Sequence, residues 1–145
     1  LKDQQRIVHE FMEFWRGKGA HYRKDRHEAL NLISIQDNLE QLLEAITKKH
    51  GQKPLIIATS AQIHSHKNTI TFHDQSQVFQ QKKPIVLVFG TGDGLSESFL
   101  NQCDYLLNPI EGFTNYNHLS VRSAVAIALD RWLGINQKKL KDEQF

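Results

Sequence analysis

Residues 85–89 (IVLVF) are apolar without a break, and Gly90-Thr91-Gly92-Asp93-Gly94 follows at once. A short continuous run rich in β-branched residues is a buried strand, and the glycines end it. Residues 54–59 (PLIIAT) form a second such run, and residues 105–107 (YLL) a third. Strands without polar alternation belong in a parallel sheet covered on both faces. Parallel neighbours need crossover connections, usually helical. The constraint therefore predicts an α/β domain with a mainly parallel sheet flanked by helices.

The intervening segments supply the helices. Residues 1–15 carry Ile7, Phe11, Phe14 and Trp15 at helical spacing, and Gly17 and Gly19 stop that helix. Residues 21–26 read as irregular and basic, and residues 30–35 (LNLISI) alternate as a short strand. Ser34 or Asp37 can begin a helix with Leu39, Leu42, Leu43 and Ile46 on one face, ended by Gly51. Residues 60–68 form a polar loop, and residues 74–81 a helix with Val78 and Phe79 inward. Ser96 can cap a short helix with Phe99 and Leu100 inward. Asn117 or Ser120 can cap the last helix. Its inward positions are Val121, Ala124, Val125, Ala128, Leu129 and Trp132, and Gly134 ends it.

Composition bounds the rest. At 145 residues, 39% hydrophobic and 23% charged, the chain suits one globular domain over 1–145, with 136–145 as a frayed tail. No linker divides it. No apolar run approaches the roughly 20 residues that cross a bilayer, so no membrane partner is expected. The single cysteine, Cys103, excludes an internal disulfide and fits a reducing, cytoplasmic compartment. A net charge of +2 does not by itself indicate nucleic acid. Arg16, Lys18, Arg23, Lys24 and Arg26 are nevertheless crowded together, opposed by Asp25, with His21, Tyr22 and His27 among them. Such a stretch is either an RNA-phosphate contact or a solvated loop.

Three polar punctuations carry the chemistry. The glycine turn at 90–94 allows a ligand to approach backbone. It is neither the dinucleotide fingerprint nor a phosphate loop, whose spacings it lacks. Leu107-Asn108-Pro109-Ile110-Glu111-Gly112 ends a strand where open α/β sheets bind ligands, though a plain strand terminator reads the same way. Asn115-Tyr116-Asn117-His118-Leu119-Ser120-Val121-Arg122 enters a helix rich in small residues, and the same residue types serve ordinary turns and caps. His64, His66 and His73 lack the further ligands and spacing of a metal site, and none is expected. Cys103 has no histidine partner that would make it a nucleophile.

Taken together, FGTGDGL, NPIEG and YNHLSVRSAVAIALDRWLG resemble the SPOUT (α/β-knot) superfamily. The closer similarity is to the bacterial S-adenosylmethionine-dependent RNA methyltransferase domain, found alone or fused to tRNA guanine methyltransferases. HYRKDRHEALNLI and KPLIIATSA extend the resemblance over residues 1–134. The resemblance implies a C-terminal trefoil knot, a homodimer, and S-adenosyl-L-methionine as cofactor. The implied pocket comprises Thr59, Ser60, Phe89, Gly90, Thr91, Gly92, Gly94, Leu107, Asn108, Pro109, Ile110, Asn117, His118, Leu119, Ser120 and Val121. The substrate would be RNA, either tRNA or rRNA. Arg122 would orient its phosphate, His118 or Glu111 would act as base, and Asn117 would lie near the methyl donor. The competing roles are helix caps for Asn117 and Ser120 and a solvated Arg122. Two departures stand out. Such proteins usually begin with a further strand and helix bearing an arginine, which is expected to be missing here. Asp93 stands where an apolar residue is more usual, facing either the sulfonium or solvent. An inactive cofactor- or RNA-binding module, or an unrelated nucleotide-binding α/β enzyme, are the other functions these residues allow.

Overall fold

A computed structural model describes residues 2–64, 68–114 and 116–134. The expected tail at 136–145, Asn115 and His66 lie outside the described residues. Contacts divide the chain into two compact units, 1–42 and 43–145.

In the first unit, helix α1 (Lys2–Arg16) packs on helix α2 (Lys24–Asn31), with a short 3₁₀ turn (Lys18–His21) between them. Gly19 is required at this turn, because a Cβ there would lie 2.6 Å from the Trp15 ring. Residues 24–26, expected to be irregular, and residues 30–31, expected to begin a strand, are helical instead. The reason is tertiary. The Arg26 guanidinium sits 4.2 Å from the Trp15 ring centroid, and Leu30, one turn on, is buried. Arg16 Nη2 donates to the Leu30 carbonyl at 3.2 Å and the Ile33 carbonyl at 3.4 Å. The end of α2 therefore gains partners as a helix. Residues 33–36 have no strand neighbour and are not a strand.

Helix α3 (Leu39–His50) begins at Asn38 rather than at Asp37 or Ser34. The Asn38 Oδ1 accepts from the Gln41 amide at 2.9 Å. Gly51, at φ +72°, closes it as expected.

The second unit is built on four parallel strands: β1 (Leu55–Thr59), β2 (Thr69–Ile70), β3 (Ile85–Val88) and β4 (Tyr105–Leu107). Their order across the sheet is β2-β4-β1-β3. Strand β2 falls just after the expected polar loop and has only two residues, too few to show a pattern. The expected buried strand at 85–89 is an edge strand with half-buried side chains, and Phe89 lies beyond its end.

Alternation along the strands sorts the core. Leu55, Ile57 and Leu107 pack on one face with Ile70, Val78 and Trp132. Ala58 and Leu106 pack on the other with Leu100. Helix α4 (Gln75–Phe79) supplies Val78, helix α5 (Glu97–Leu100) supplies Leu100, and helix α6 (Val121–Leu133) supplies Trp132. Ser96 and Ser120 cap α5 and α6 by accepting from the Phe99 and Ser123 amides, each at 3.3 Å. Leu129, expected to face inward on α6, is 41% exposed because the stripe through Ala124, Ala128 and Trp132 takes the packed face.

Trp132 is the largest contribution of α6 to this core, and Phe79 meets its ring edge-on at 5.8 Å. Trp132→Ala should destabilise the protein by about 3–5 kcal/mol. A urea midpoint shift shows this directly; no shift would mean that α6 does not anchor the fold.

Candidate functional site

A cavity of about 270 Å³ opens at the carboxyl ends of the parallel strands. The last residues of β1 and β4 and the segments that follow all four strands contribute to its wall, in the place where open parallel sheets hold ligands. Thr59 ends β1, Ser60 and Ala61 follow it, and Phe72 follows β2. Phe89, Gly90, Gly92 and Gly94 follow β3, while Leu107, Asn108 and Ile110 end β4. Asn117, His118, Leu119, Ser120, Val121, Ala124 and Ala128 come from α6 and the segment entering it.

Local chemistry positions each loop. Thr59 Oγ1 donates to the Val88 carbonyl at 3.0 Å and ties the end of β1 to β3. The glycine turn folds back on itself, with the Gly94 amide donating to the Thr91 carbonyl at 3.0 Å. Gly92 and Gly94 adopt φ +54° and +86°, and a Cβ on Gly90 would lie 2.7 Å from the Gly94 backbone. These three positions require glycine for backbone reasons. Asn108 donates from its backbone to the Ile70 carbonyl at 2.8 Å, and Asn117 Nδ2 donates to the Ala61 carbonyl at 2.7 Å. The second contact holds the segment before α6 against the loop after β1.

Phe72 is held by the turn around it. The Asp74 carboxylate accepts from the Thr71 amide at 2.7 Å and the Thr71 hydroxyl at 2.8 Å, while Thr71 accepts from His73. This is a capping box. The backbone bond from Thr71, then its hydroxyl, hold the Asp74 carboxyl below the usual carboxylate range.

The cleft has an apolar floor of Phe72, Phe89, Leu107, Val121, Ala124 and Ala128 and a rim of hydroxyls, amides and backbone. His118 is the titratable side chain among the described lining residues, and no carboxylate is among them. A mainly apolar lining with a few polar groups suits a small organic ligand.

The family model described as SAM-dependent RNA methyltransferase matches residues 1–134. The chain belongs to this RNA methyltransferase family. It is 37% identical over 135 residues to proteins named tRNA (guanine-N(1)-)-methyltransferase from Nitratidesulfovibrio vulgaris and Oleidesulfovibrio alaskensis. These alignments cover 92% of the chain but 31% of each relative, so the chain spans about a third of their length. An uncharacterized protein of Aquifex aeolicus is 35% identical over 138 residues, which cover 93% of the chain and 66% of that protein. An unrelated nucleotide-binding enzyme sharing only the glycine turn is thereby set aside.

Within this methyltransferase-family domain, most residues of the implied pocket lie together in the cleft wall. Thr91 is exposed in the glycine turn and Pro109 is buried; neither lines the cavity. Glu111 and Arg122 are exposed and outside the lining, whereas Asn117 and His118 are in it. Asp93 is exposed and not part of the wall. Ala61, Phe72, Ala124 and Ala128 line the cleft without belonging to the implied pocket. A Thr-x-x-Asp capping pattern at 71–74 was the available signal for the turn holding Phe72.

Of the basic residues, all exposed, Arg16 and Arg26 have the structural contacts described above. Lys18 lies in the 3₁₀ turn, Arg23 precedes α2 and Lys24 begins it. Burial, with a smaller push from Asp104, raises the Cys103 thiol above its ordinary range, so it stays protonated near neutrality. Among the described residues no group of three or more metal-ligating side chains forms, and no helix is long and apolar enough to cross a membrane.

The depressed Asp74 pKa has a definite sign. Its stabilisation is complete above the unfolded carboxylate value and is lost as pH falls through the folded one. Asp74→Asn should lower the urea midpoint at neutral pH and flatten its decline between about pH 5 and pH 2. An unaltered acid limb would show that this box does not stabilise the turn.

Proposed function

We propose that this chain is the S-adenosylmethionine-binding domain of an RNA methyltransferase that modifies tRNA or rRNA. The observation carrying the proposal is the convergence of strand-end loops and the start of α6 on one uncharged cleft, in a chain of this family. The small residues there fit the ligand: Ala61, Gly90, Gly92, Gly94, Ala124 and Ala128 leave room for an adenosyl group against backbone. Backbone at 89–94 and 107–110, with residues 117–121, would hold it. When bound, S-adenosyl-L-methionine supplies a methyl group on a sulfonium.

The chain's own residues then have three tasks. The loop ties Thr59–Val88 and Asn117–Ala61 hold the walls in place, since positioning is worth about 7–11 kcal/mol in favourable cases. His118, lining the cleft, takes the proton of the acceptor atom; Glu111, outside the lining, is the reserve candidate. Arg122, exposed one residue past cleft-lining Val121, contacts RNA phosphate. Phe113 and Tyr116 are exposed aromatics between cleft-lining segments and suit an unstacked base. Lys18, Arg23 and Lys24, with Arg16 and Arg26, add phosphate contacts from the first unit.

The proposal extends to the SPOUT topology, with the C-terminal segment knotted through a loop of the sheet. The Asn117–Ala61 bond, which lays that segment on the β1 loop, supports it. It also includes a cytoplasmic homodimer, supported by Leu129 and Leu133, 41% and 45% exposed on α6. A second reading is a catalytically inactive module that still binds the cofactor, favoured by Glu111 and Arg122 standing outside the cleft lining.

Titration calorimetry of this chain with S-adenosylmethionine should give one site per chain, and no binding would end both readings. Methyl incorporation into unmodified bulk tRNA and rRNA by the full-length protein separates the enzyme from the module. In that assay His118→Ala should slow single-turnover transfer by roughly 10²- to 10⁴-fold; an unchanged rate removes His118 from the chemistry. Sedimentation equilibrium should give twice the 16.8 kDa chain mass, and a monomer would refute the dimer.

A further inference from the structure

Ser60, His64 and Glu97 form a polar chain that reaches the cleft from behind its wall. Ser60 Oγ lies 2.9 Å from His64 Nε2, and His64 Nδ1 lies 3.4 Å from Glu97 Oε1. Ser60 lines the cleft, whereas His64 and Glu97 stand outside the lining. The His64 side chain is 14% exposed. The Gln62 amide donates to Ser60 Oγ at 3.0 Å, a turn that brings His64 back over the serine. The histidine that reads in sequence as half of a His-x-His metal pair is engaged with a serine and a carboxylate instead.

The protonation of His64 sets the direction of hydrogen bonding between it and Ser60. An ionised carboxylate only accepts. A hydrogen on Nδ1 of His64, facing the Glu97 carboxylate 3.4 Å away, is the tautomer this contact favours. A neutral imidazole protonated on Nδ1 leaves Nε2 as an acceptor. The Ser60 hydroxyl then donates its one hydrogen to Nε2. The Gln62 amide uses one of the two lone pairs on Oγ. A single lone pair is left to face the cleft.

We infer that His64 carries its hydrogen on Nδ1 alone and that it and Glu97 are positioning residues that fix Ser60 as a hydrogen-bond acceptor, so that this point of the cleft selects an N–H or O–H group of the bound molecule. The inference rests on the donor-binding function proposed above. On S-adenosylmethionine such groups are the ribose hydroxyls, the adenine amino group and the α-ammonium. Without His64 the serine hydroxyl rotates freely and presents hydrogen or lone pair alike. Orientation is then settled only on binding, at a cost in affinity.

Calorimetry on the whole chain with S-adenosylmethionine and with 5′-methylthioadenosine, which lacks the amino-acid part, tests this. Ser60→Ala and His64→Ala should each weaken at least one ligand about three- to tenfold, the effect of one neutral hydrogen bond. His64→Gln, whose amide oxygen can take the serine's hydrogen, should recover part of that loss. A purely structural role would not show this rescue. A loss against both ligands assigns the selected group to the adenosyl part, and a loss against S-adenosylmethionine alone assigns it to the amino-acid part. Unchanged affinity for both ligands in Ser60→Ala and His64→Ala overturns the inference. ¹⁵N NMR of ligand-free protein reads the His64 tautomer independently. A hydrogen on Nδ1 alone supports the inference, and a hydrogen on Nε2, with or without one on Nδ1, overturns it. If the wild type binds neither ligand, the donor-binding reading fails by itself, and the tautomer still decides the order of hydrogen bonds.

Discussion

Strand β4 enters the sheet last and lies in its interior, between β1 and β2. Until it is in place, β1 has one open edge and β2 has no partner within the sheet. The insertion is held at both ends. At its start the Asp104 carboxylate accepts from the Ile56 amide at 2.7 Å, and the Asp104 amide donates to the Ile56 carbonyl at 2.9 Å. At its finish the Asn108 amide donates to the Ile70 carbonyl. Register cannot slip by one residue, because Leu106 and Leu107 serve opposite faces of the sheet.

The cleft follows from that pairing. Aligning β4 with Ala58 and Thr59 brings the Asn108 turn beside the Ser60 loop, and β3 on the other side brings the glycine turn. The segment before α6 then closes the wall through Asn117. No residue in the described lining is a carboxylate, lysine or arginine. Recognition is therefore left to backbone, small side chains and a few oriented hydroxyls and amides. In such a site the donor–acceptor sense of each rim group matters more than charge. For that reason Ser60 depends on the histidine behind it.

The longer elements were readable from local pattern. Helices α1, α3 and α6 fall where the apolar spacing puts them, because each is long enough to display a period, and strands β1, β3 and β4 fall on the continuous apolar runs. The failures share one cause. The run at 30–35 alternates like a strand but belongs to the end of α2 and the residues beyond it. Arg16, far off in sequence, supplies partners for its Leu30 and Ile33 carbonyls. Strand β2 has two residues and is defined only by pairing with β4. Leu129 fits the apolar stripe of α6, yet only the packing of that helix could show that it faces out.

Sequence alone determined the class of fold and the order of its turns, because continuous apolar runs and glycines act through local sterics and burial. It also identified, through resemblance, most residues of the cleft wall. Only tertiary structure decided that Phe72 joins the wall, that Arg122 and Glu111 stay outside it, and that His64 stands behind Ser60 with Glu97. These are facts of convergence. Strand pairing brings together loops tens of residues apart, and no local period encodes which side chains then meet.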